Sequence, residues 1–152
     1  MKARKWNLDT DYDILKQWWE EWEFGVVPKE LLPPDGIIVE SDKPICAAGV
    51  YLCDGCKFSK MEWLVKDKNA SMKDSHKAIK LCIDELIKLV KDRDYKLIFT
   101  NTSDNSLMKR FTRLHGSKLT ENSVRTFVKD VDNSYTDFEF VQDDEQWEKD
   151  QK

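Results

Sequence analysis

Between Met72 and Asp92 the chain carries a single apolar stripe with helical period. Ile79, Cys82, Ile83, Leu86, Ile87 and Val90 fall at i, i+3, i+4, i+7, i+8 and i+11, while Lys77, Lys80, Asp84, Lys88 and Lys91 take the opposite side. Residues three and four apart share one helix face, so this spacing predicts a long amphipathic helix with one side buried. Such a face needs an apolar surface to cover it, and the preceding segment supplies one. Ile37-Ile38-Val39, the run Ile45 to Leu52 and the run Phe58 to Val65 read as strands, separated by Ser41-Asp42-Lys43-Pro44 and by Asp54-Gly55. Connections this short join antiparallel neighbours. A helix laid on an antiparallel sheet follows, which is an α/β (α+β) layered class.

The rest of the chain extends that plan. Ala3 to Asn7 is a candidate strand. Asp9-Thr10-Asp11 offers an N-cap to a helix whose apolar face is Leu15, Trp18, Trp19 and Trp22, with Glu20, Glu21 and Glu23 mostly on the solvated side. An aromatic stripe at this spacing is core packing first, because such side chains bury large areas. Pro28, Pro33 and Pro34 then impose an irregular loop. After the long helix, Tyr95 to Thr100 reads as a buried-type strand, followed by a short helix carrying Leu107, Met108, Phe111 and Leu114, and by strands at Lys118–Thr120 and Val124–Val131.

With 152 residues, 40% of them hydrophobic and six Trp, the chain can bury one core and fits one domain. We place that domain at 1–131. The stretch 132–152 holds eight acidic residues against two basic ones, with Phe138, Phe140, Val141 and Trp147 among them. It reads as an acidic tail, either solubilising or partly docked.

Charge and cysteines exclude several functions. The net charge is −4 and the lysines form no stripe, so nucleic-acid binding through phosphates is disfavoured. No apolar run approaches the roughly 20 residues that span a bilayer, and no apolar segment follows the basic Met1–Trp6 cluster, so no membrane role is expected. The expected compartment is the cytoplasm, the host's if the gene is viral, with the four cysteines reduced. Cys53-Asp54-Gly55-Cys56 has zinc-knuckle spacing, yet no second Cys pair or His-x₃-His completes a tetrahedral site. Asp-Gly also signals a two-residue type I′ hairpin, which would put the two cysteines on facing strands. A cross-strand redox pair and a metal site are the alternatives, and no metal ligand is assigned.

The order strand, helix, loop, three antiparallel strands, long helix, strand, helix and closing strands resembles the GNAT N-acetyltransferase superfamily, its phage-encoded members included. Met61-Glu62-Trp63-Leu64-Val65, the helix after Met72, Tyr95-Lys96-Leu97-Ile98-Phe99-Thr100 and Asn105-Ser106-Leu107-Met108-Lys109-Arg110-Phe111 carry the likeness. The resemblance implies a mixed, mostly antiparallel central sheet of 6–7 strands with helices on both faces, and acetyl-CoA as cofactor. It implies that the fourth and fifth strands splay apart to hold the pantetheine arm on backbone groups, near Leu64, Val65 and Asn101, with Asn105 and Phe111 on the following helix. The cofactor's pyrophosphate would rest at the helix start, on Lys73, Asp74, Ser75, His76, Lys77 and Ala78. The family's turn there has a central Gly where this chain has His76, and Asp74 adds a negative charge. His76 is either a phosphate donor or an exposed helix residue.

The resemblance also matches Glu62 to a carboxylate that takes the proton of the attacking amine. As an alternating-strand residue it could equally face outward. The family's Tyr acid aligns with Phe111, or with Thr112 after a one-residue shift, and neither carries a phenol. His115-Gly116 stands where the family usually shows Gly-Phe.

Two functions compete. One is an acetyl-CoA-dependent N-acetyltransferase acting on a small-molecule or protein amine that enters beside Glu20, Glu21 and Glu23. The other is a catalytically impaired binding module of the same fold with a host or viral protein partner. Monomer and homodimer are both open, and a zinc protein built on Cys53 and Cys56 is a third class.

Overall fold

The computed structural model describes residues 1–120 and Val131. Among the described residues five strands form one sheet in the order β1-β2-β3-β4-β5, where β1 is Lys2–Lys5, β2 Gly36–Glu40, β3 Pro44–Leu52, β4 Phe58–Lys66 and β5 Leu97–Phe99. The first three pairings are antiparallel and β4–β5 is parallel. Helix α1 (Leu8–Glu21) lies between β1 and β2 in the chain, α2 (Met72–Asp92) between β4 and β5, and α3 (Asn105–Leu114) after β5.

Strand alternation sorts the core into two layers. Ile37, Val39, Cys46, Ala48, Val50 and Met61 face α2, where they meet Ala78, Cys82, Ile83, Leu86, Leu89 and Val90. Ile38 and Ala47 face the other way, toward Leu15, Trp18 and Trp19 of α1. Helices therefore cover both faces, as expected. Trp18 and Leu15 are almost fully buried, each worth about 1.5–3 kcal/mol against exposure. The buried stripe of α2 departs from its period at one point: Ile87 is 38% exposed, and Leu89 takes its place at the sheet.

The N-cap of α1 is Asn7 rather than Asp9-Thr10-Asp11. Its side chain accepts from the Asp9 N–H at 3.0 Å. Asp11 is unavailable for capping because it takes two bonds from Arg4, at 2.8 and 2.9 Å, and one from the Asn7 N–H at 2.7 Å. Strand β1 accordingly stops at Lys5, and Trp6 turns inward. Its ring lies flat over two glycines of neighbouring strands. A Cβ on Gly36 would come within 2.1 Å of that ring and one on Gly49 within 2.4 Å, so only glycine fits at either position.

The Asp54-Gly55 connection is not a two-residue type I′ turn. That turn needs positive φ at both central residues, and Gly55 has it (75°) while Asp54 does not. The loop instead spans Cys53 to Lys57, closed by the Cys53 N–H donating to the Phe58 carbonyl at 3.1 Å. Cys53 and Cys56 thus sit in the loop and not on facing strands, and both are free.

Strand β5 is shorter than Tyr95–Thr100 and is not of the buried type. Leu97 and Phe99 are 52% and 39% exposed on the face opposite Ile98, and the Phe99 ring lies 6.1 Å from that of Phe58 on β4. Lys118–Thr120 is irregular and exposed, since Leu119 is its one apolar side chain and finds no core. The strand expected at Val124–Val131, apart from Val131 itself, and the tail 132–152 lie outside the described residues. No helix among those described is long and apolar enough to cross a membrane.

Candidate acyl-transfer crevice

Strands β4 and β5 begin side by side and then part. Their ladder covers only Phe58↔Leu97, Ser59↔Ile98 and Lys60↔Phe99. The buried Ser59 hydroxyl tightens the paired end by donating to the Leu97 carbonyl at 2.8 Å. At the next residue the Met61 carbonyl is taken by the Thr100 side chain, at 3.1 Å, in place of a strand bond. From there β4 continues to Lys66 while β5 has ended. Beyond Met61 no further pair joins the two strands.

A bulge in β4 shapes this unpaired stretch. Gly49 pairs with Glu62 and Ala47 with Val65, so three steps on β4 oppose two on β3. Trp63 absorbs the extra residue at φ 63°, a conformation costing of order 1–3 kcal/mol for a non-glycine residue. Its surroundings hold it there. The indole N–H donates to the Tyr51 hydroxyl at 2.8 Å, and the ring sits edge-on to Trp19 at 6.5 Å. The extra residue also changes parity. Trp63 and Val65 join the α1 layer, while Leu64 packs with the α2 layer that already holds Met61.

Glu62 pairs with Gly49 immediately before the bulge. Its side chain is 23% exposed, and Lys60 Nζ approaches its Oε1 at 2.6 Å. Nearby Tyr51 has its hydroxyl engaged twice, accepting from Trp63 and donating to the Leu31 carbonyl at 2.5 Å. Burial pushes the Tyr51 phenol up from its ordinary range, against the indole bond that lowers it. Glu62 is therefore reachable, next to a rigid aromatic wall. At the C-terminal end of α1, Glu20 and Glu23 are exposed and Glu21 is half-buried. Two cations already serve this end. Lys66 and Lys68 lie over the Trp22 ring at 4.8 and 5.3 Å, and Lys68 also donates to the Glu21 carbonyl at 2.9 Å.

The start of α2 closes on itself. Ser71 is the N-cap; its hydroxyl accepts from the Asp74 N–H at 3.0 Å and donates to the Asp74 carboxylate at 2.8 Å. The Asp74 carboxylate thus returns to the Ser71 hydroxyl and not to the Ser71 N–H, which a full capping box would engage. Ahead of it, the buried Asp67 carboxylate accepts from the Asn69 N–H at 2.8 Å, and the Asp67 carbonyl from the Ala70 N–H at 3.3 Å. Burial alone would raise the Asp67 carboxyl, but Lys43 at 2.7 Å and the Asn69 N–H hold it below its ordinary value, hence ionised. Lys73 to Lys77 are thus residues of a formed helix and not of a loop. Lys73, Asp74, His76 and Lys77 are exposed, and Ala78 is fully buried. Ser75 is 6% exposed, on the face that carries Ala78 and Cys82, and its hydroxyl is buried without a partner.

His76 is tied to α3. Arg110 is 7% exposed and donates to the His76 carbonyl at 3.1 Å, with its other terminal nitrogen 3.0 Å from His76 Nδ1. Phe111, the next residue, is buried in the core with Cys82 and Ile83. Asn101 and Asn105 are exposed at the end of the crevice, Asn105 opening α3 behind its cap Asp104. Leu64 and Val65 thus line the parted segment of β4, Asn101 and Asn105 lie on the chain leaving β5, and Phe111 packs beneath. Sequence reasoning passed over Ser71, Thr100 and Arg110. The pattern Ser71-x-x-Asp74 ahead of an apolar helix was a legible signal for the first.

A pantetheine arm would need the edge of β4 beyond Met61, where the pairing with β5 has ended; there the Met61 carbonyl accepts from Thr100 and the Lys66 carbonyl from the Trp22 indole. A nucleotide diphosphate fits less well, since of the first-turn amides the Asp74 N–H is taken by Ser71 Oγ, only those of Met72 and Lys73 stay open, and the Asp74 carboxylate stands beside them. Among the described residues no group of three or more His, Cys, Asp or Glu gathers as a metal site.

No family model matches the chain, and no curated protein matches it. Solved structures do. An aminoglycoside acetyltransferase from an uncultured soil metagenomic sample superposes with TM-score 0.63 at 12% identity, over 84% of this chain and 95% of that one. A Mycobacterium tuberculosis protein solved in complex with CoA gives 0.61 at 14%, over 82% and 76%. A ribosomal-protein-alanine N-acetyltransferase from Brucella melitensis gives 0.59 at 12%, over 76% and 83%. The chain therefore has the GNAT acetyltransferase fold.

Proposed function

We propose that this protein is an N-acyltransferase that moves an acetyl group from a pantetheine thioester, acetyl-CoA being the first donor to test, to an amine. The observation that carries the reading is the three-pair β4–β5 ladder that opens at Met61 beside the bulge at Trp63. When bound, the donor supplies an acyl carbon activated by its thioester bond. The parted backbone at Leu64 and Val65 would hold the arm by strand-like bonds, which tolerate many side chains. Ser75, on the buried face of α2, would add one donor.

An amine attacks only when neutral, so a group must take its proton. Glu62 would take that role, and its partial exposure and its pairing with Lys60 support the reading. The acceptor would approach on the α1 side, past Tyr51 and Trp63, with Glu20 and Glu23 attracting a cation. Phe111 supplies no phenol, so the departing thiolate would take its proton from solvent. The loss is bearable, since a thiolate leaves readily and acid help is worth about 10²–10⁴-fold.

The test is release of free thiol from acetyl-CoA with a panel of amines. Activity should appear, and Glu62→Gln should cut kcat by about 10²-fold or more with little change in fold stability. No turnover, together with no thermal stabilisation by acetyl-CoA at millimolar concentration, would overturn the reading. A second reading, a binding module without chemistry, is favoured by the self-closed start of α2 and the buried Phe111. It expects a partner captured equally well by the Glu62→Gln variant.

A further inference from the structure

The crevice and the start of α2 disagree about the donor. Backbone recognition of an arm needs only that β4 and β5 part, and they do. Recognition of a diphosphate needs free amides and an uncompensated helix terminus. Here the Asp74 N–H is bonded to Ser71 Oγ, the Ser75 N–H to the Ser71 carbonyl, the Asn69 N–H to Asp67 Oδ1 and the Ala70 N–H to the Asp67 carbonyl, which leaves the Met72 and Lys73 N–H groups of the first turn open, enough for one phosphate. Two carboxylates, Asp67 and Asp74, stand where a polyanion would have to approach. The cations nearest in sequence are committed elsewhere: Lys43 to Asp67, and Lys68 to Glu21 and the Trp22 ring. Lys73 and Lys77 remain, exposed on the first two turns, enough to meet one phosphate through solvent.

We infer that the donor is recognised through its pantetheine arm and at most one phosphate, and that the Ser71–Asp74 pair, which takes one amide and adds a carboxylate, excludes the nucleotide diphosphate from a productive site. The donor class is then a pantetheine or phosphopantetheine thioester, free or carried on a protein. This inference rests on the acyltransferase reading, and its test separates the two.

Calorimetric titration of the full chain with CoA, with 4′-phosphopantetheine and with a phosphopantetheinylated carrier domain gives the affinity ratios. CoA and 4′-phosphopantetheine should bind within about tenfold of each other, where free amides facing a diphosphate would favour CoA by far more. A preference for CoA of tenfold or more overturns the inference and leaves the acyltransferase reading standing. Binding of none of the three overturns both. Asp74→Asn keeps the cap geometry and removes the charge, and should move the ratio toward CoA by about fivefold. A ratio left unmoved overturns the role given to Asp74. If the inference holds, tighter binding of the carrier domain than of free 4′-phosphopantetheine assigns a protein-borne arm, and the reverse a free one.

Discussion

The guanidinium of Arg110 on α3 donates to the main-chain carbonyl of His76, one turn into α2, while facing the His76 ring nitrogen at 3.0 Å. A guanidinium can only donate, so that ring nitrogen presents a lone pair. The contact joins the two helices that flank the crevice. Arg110→Ala removes this charge-assisted, part-buried bond between the helices and should cost about 1.5–3 kcal/mol in urea unfolding. Arg110→Lys, which cannot span both acceptors, should recover only part of it.

Ser75 has the opposite balance. Its hydroxyl is buried and unpartnered, a cost that folding alone does not justify. Ser75→Ala should raise the unfolding free energy by about 1 kcal/mol and weaken binding of 4′-phosphopantetheine. A variant both more stable and equally good at binding would show that the hydroxyl serves no ligand.

Gly49 and Trp6 form a fitted pair. A Cβ at Gly49 would meet the Trp6 ring at 2.4 Å and Pro33 Cγ at 2.7 Å, both in a packed layer. Gly49→Ala should destabilise by about 2 kcal/mol or more, and a second change of Trp6 to Leu should be less than additive with it. A double-mutant cycle in urea measures the coupling.

His115 gives a pH dependence. Its side chain is 2% exposed, and burial lowers its pKa, the nearby Asp84 carboxylate opposing in part. A lowered folded value means that the unfolded chain takes up the proton first. Stability is therefore complete above the ordinary value of 6.5 and falls as pH drops toward the folded value, by up to about 1.4 kcal/mol per pH unit. Tm should fall between pH 8 and pH 5, and His115→Gln should flatten that slope. A slope unchanged in the variant would assign the effect to other groups.

Helix α2 was legible to its last residue, because a 21-residue stripe averages out local exceptions and needs no knowledge of its partner. The two layers of β2 and β3 followed from alternation in the same way. The type I′ turn at Asp54-Gly55 was not, since two residues specify a turn only if the flanking strands run up to them, and here both strands stop short. The cap of α1 was missed because Asp11, the apparent candidate, is drawn to Arg4.

Periodicity and turn spacing therefore settled a long helix over an antiparallel sheet, while helices on both faces followed only from the family resemblance. Tertiary structure decided the crevice. Whether β4 and β5 pair or part depends on one extra residue at Trp63 and on Thr100 reaching the Met61 carbonyl. Each of these is a bond to a group distant in the fold or an orientation of backbone, and neither leaves a period in the sequence.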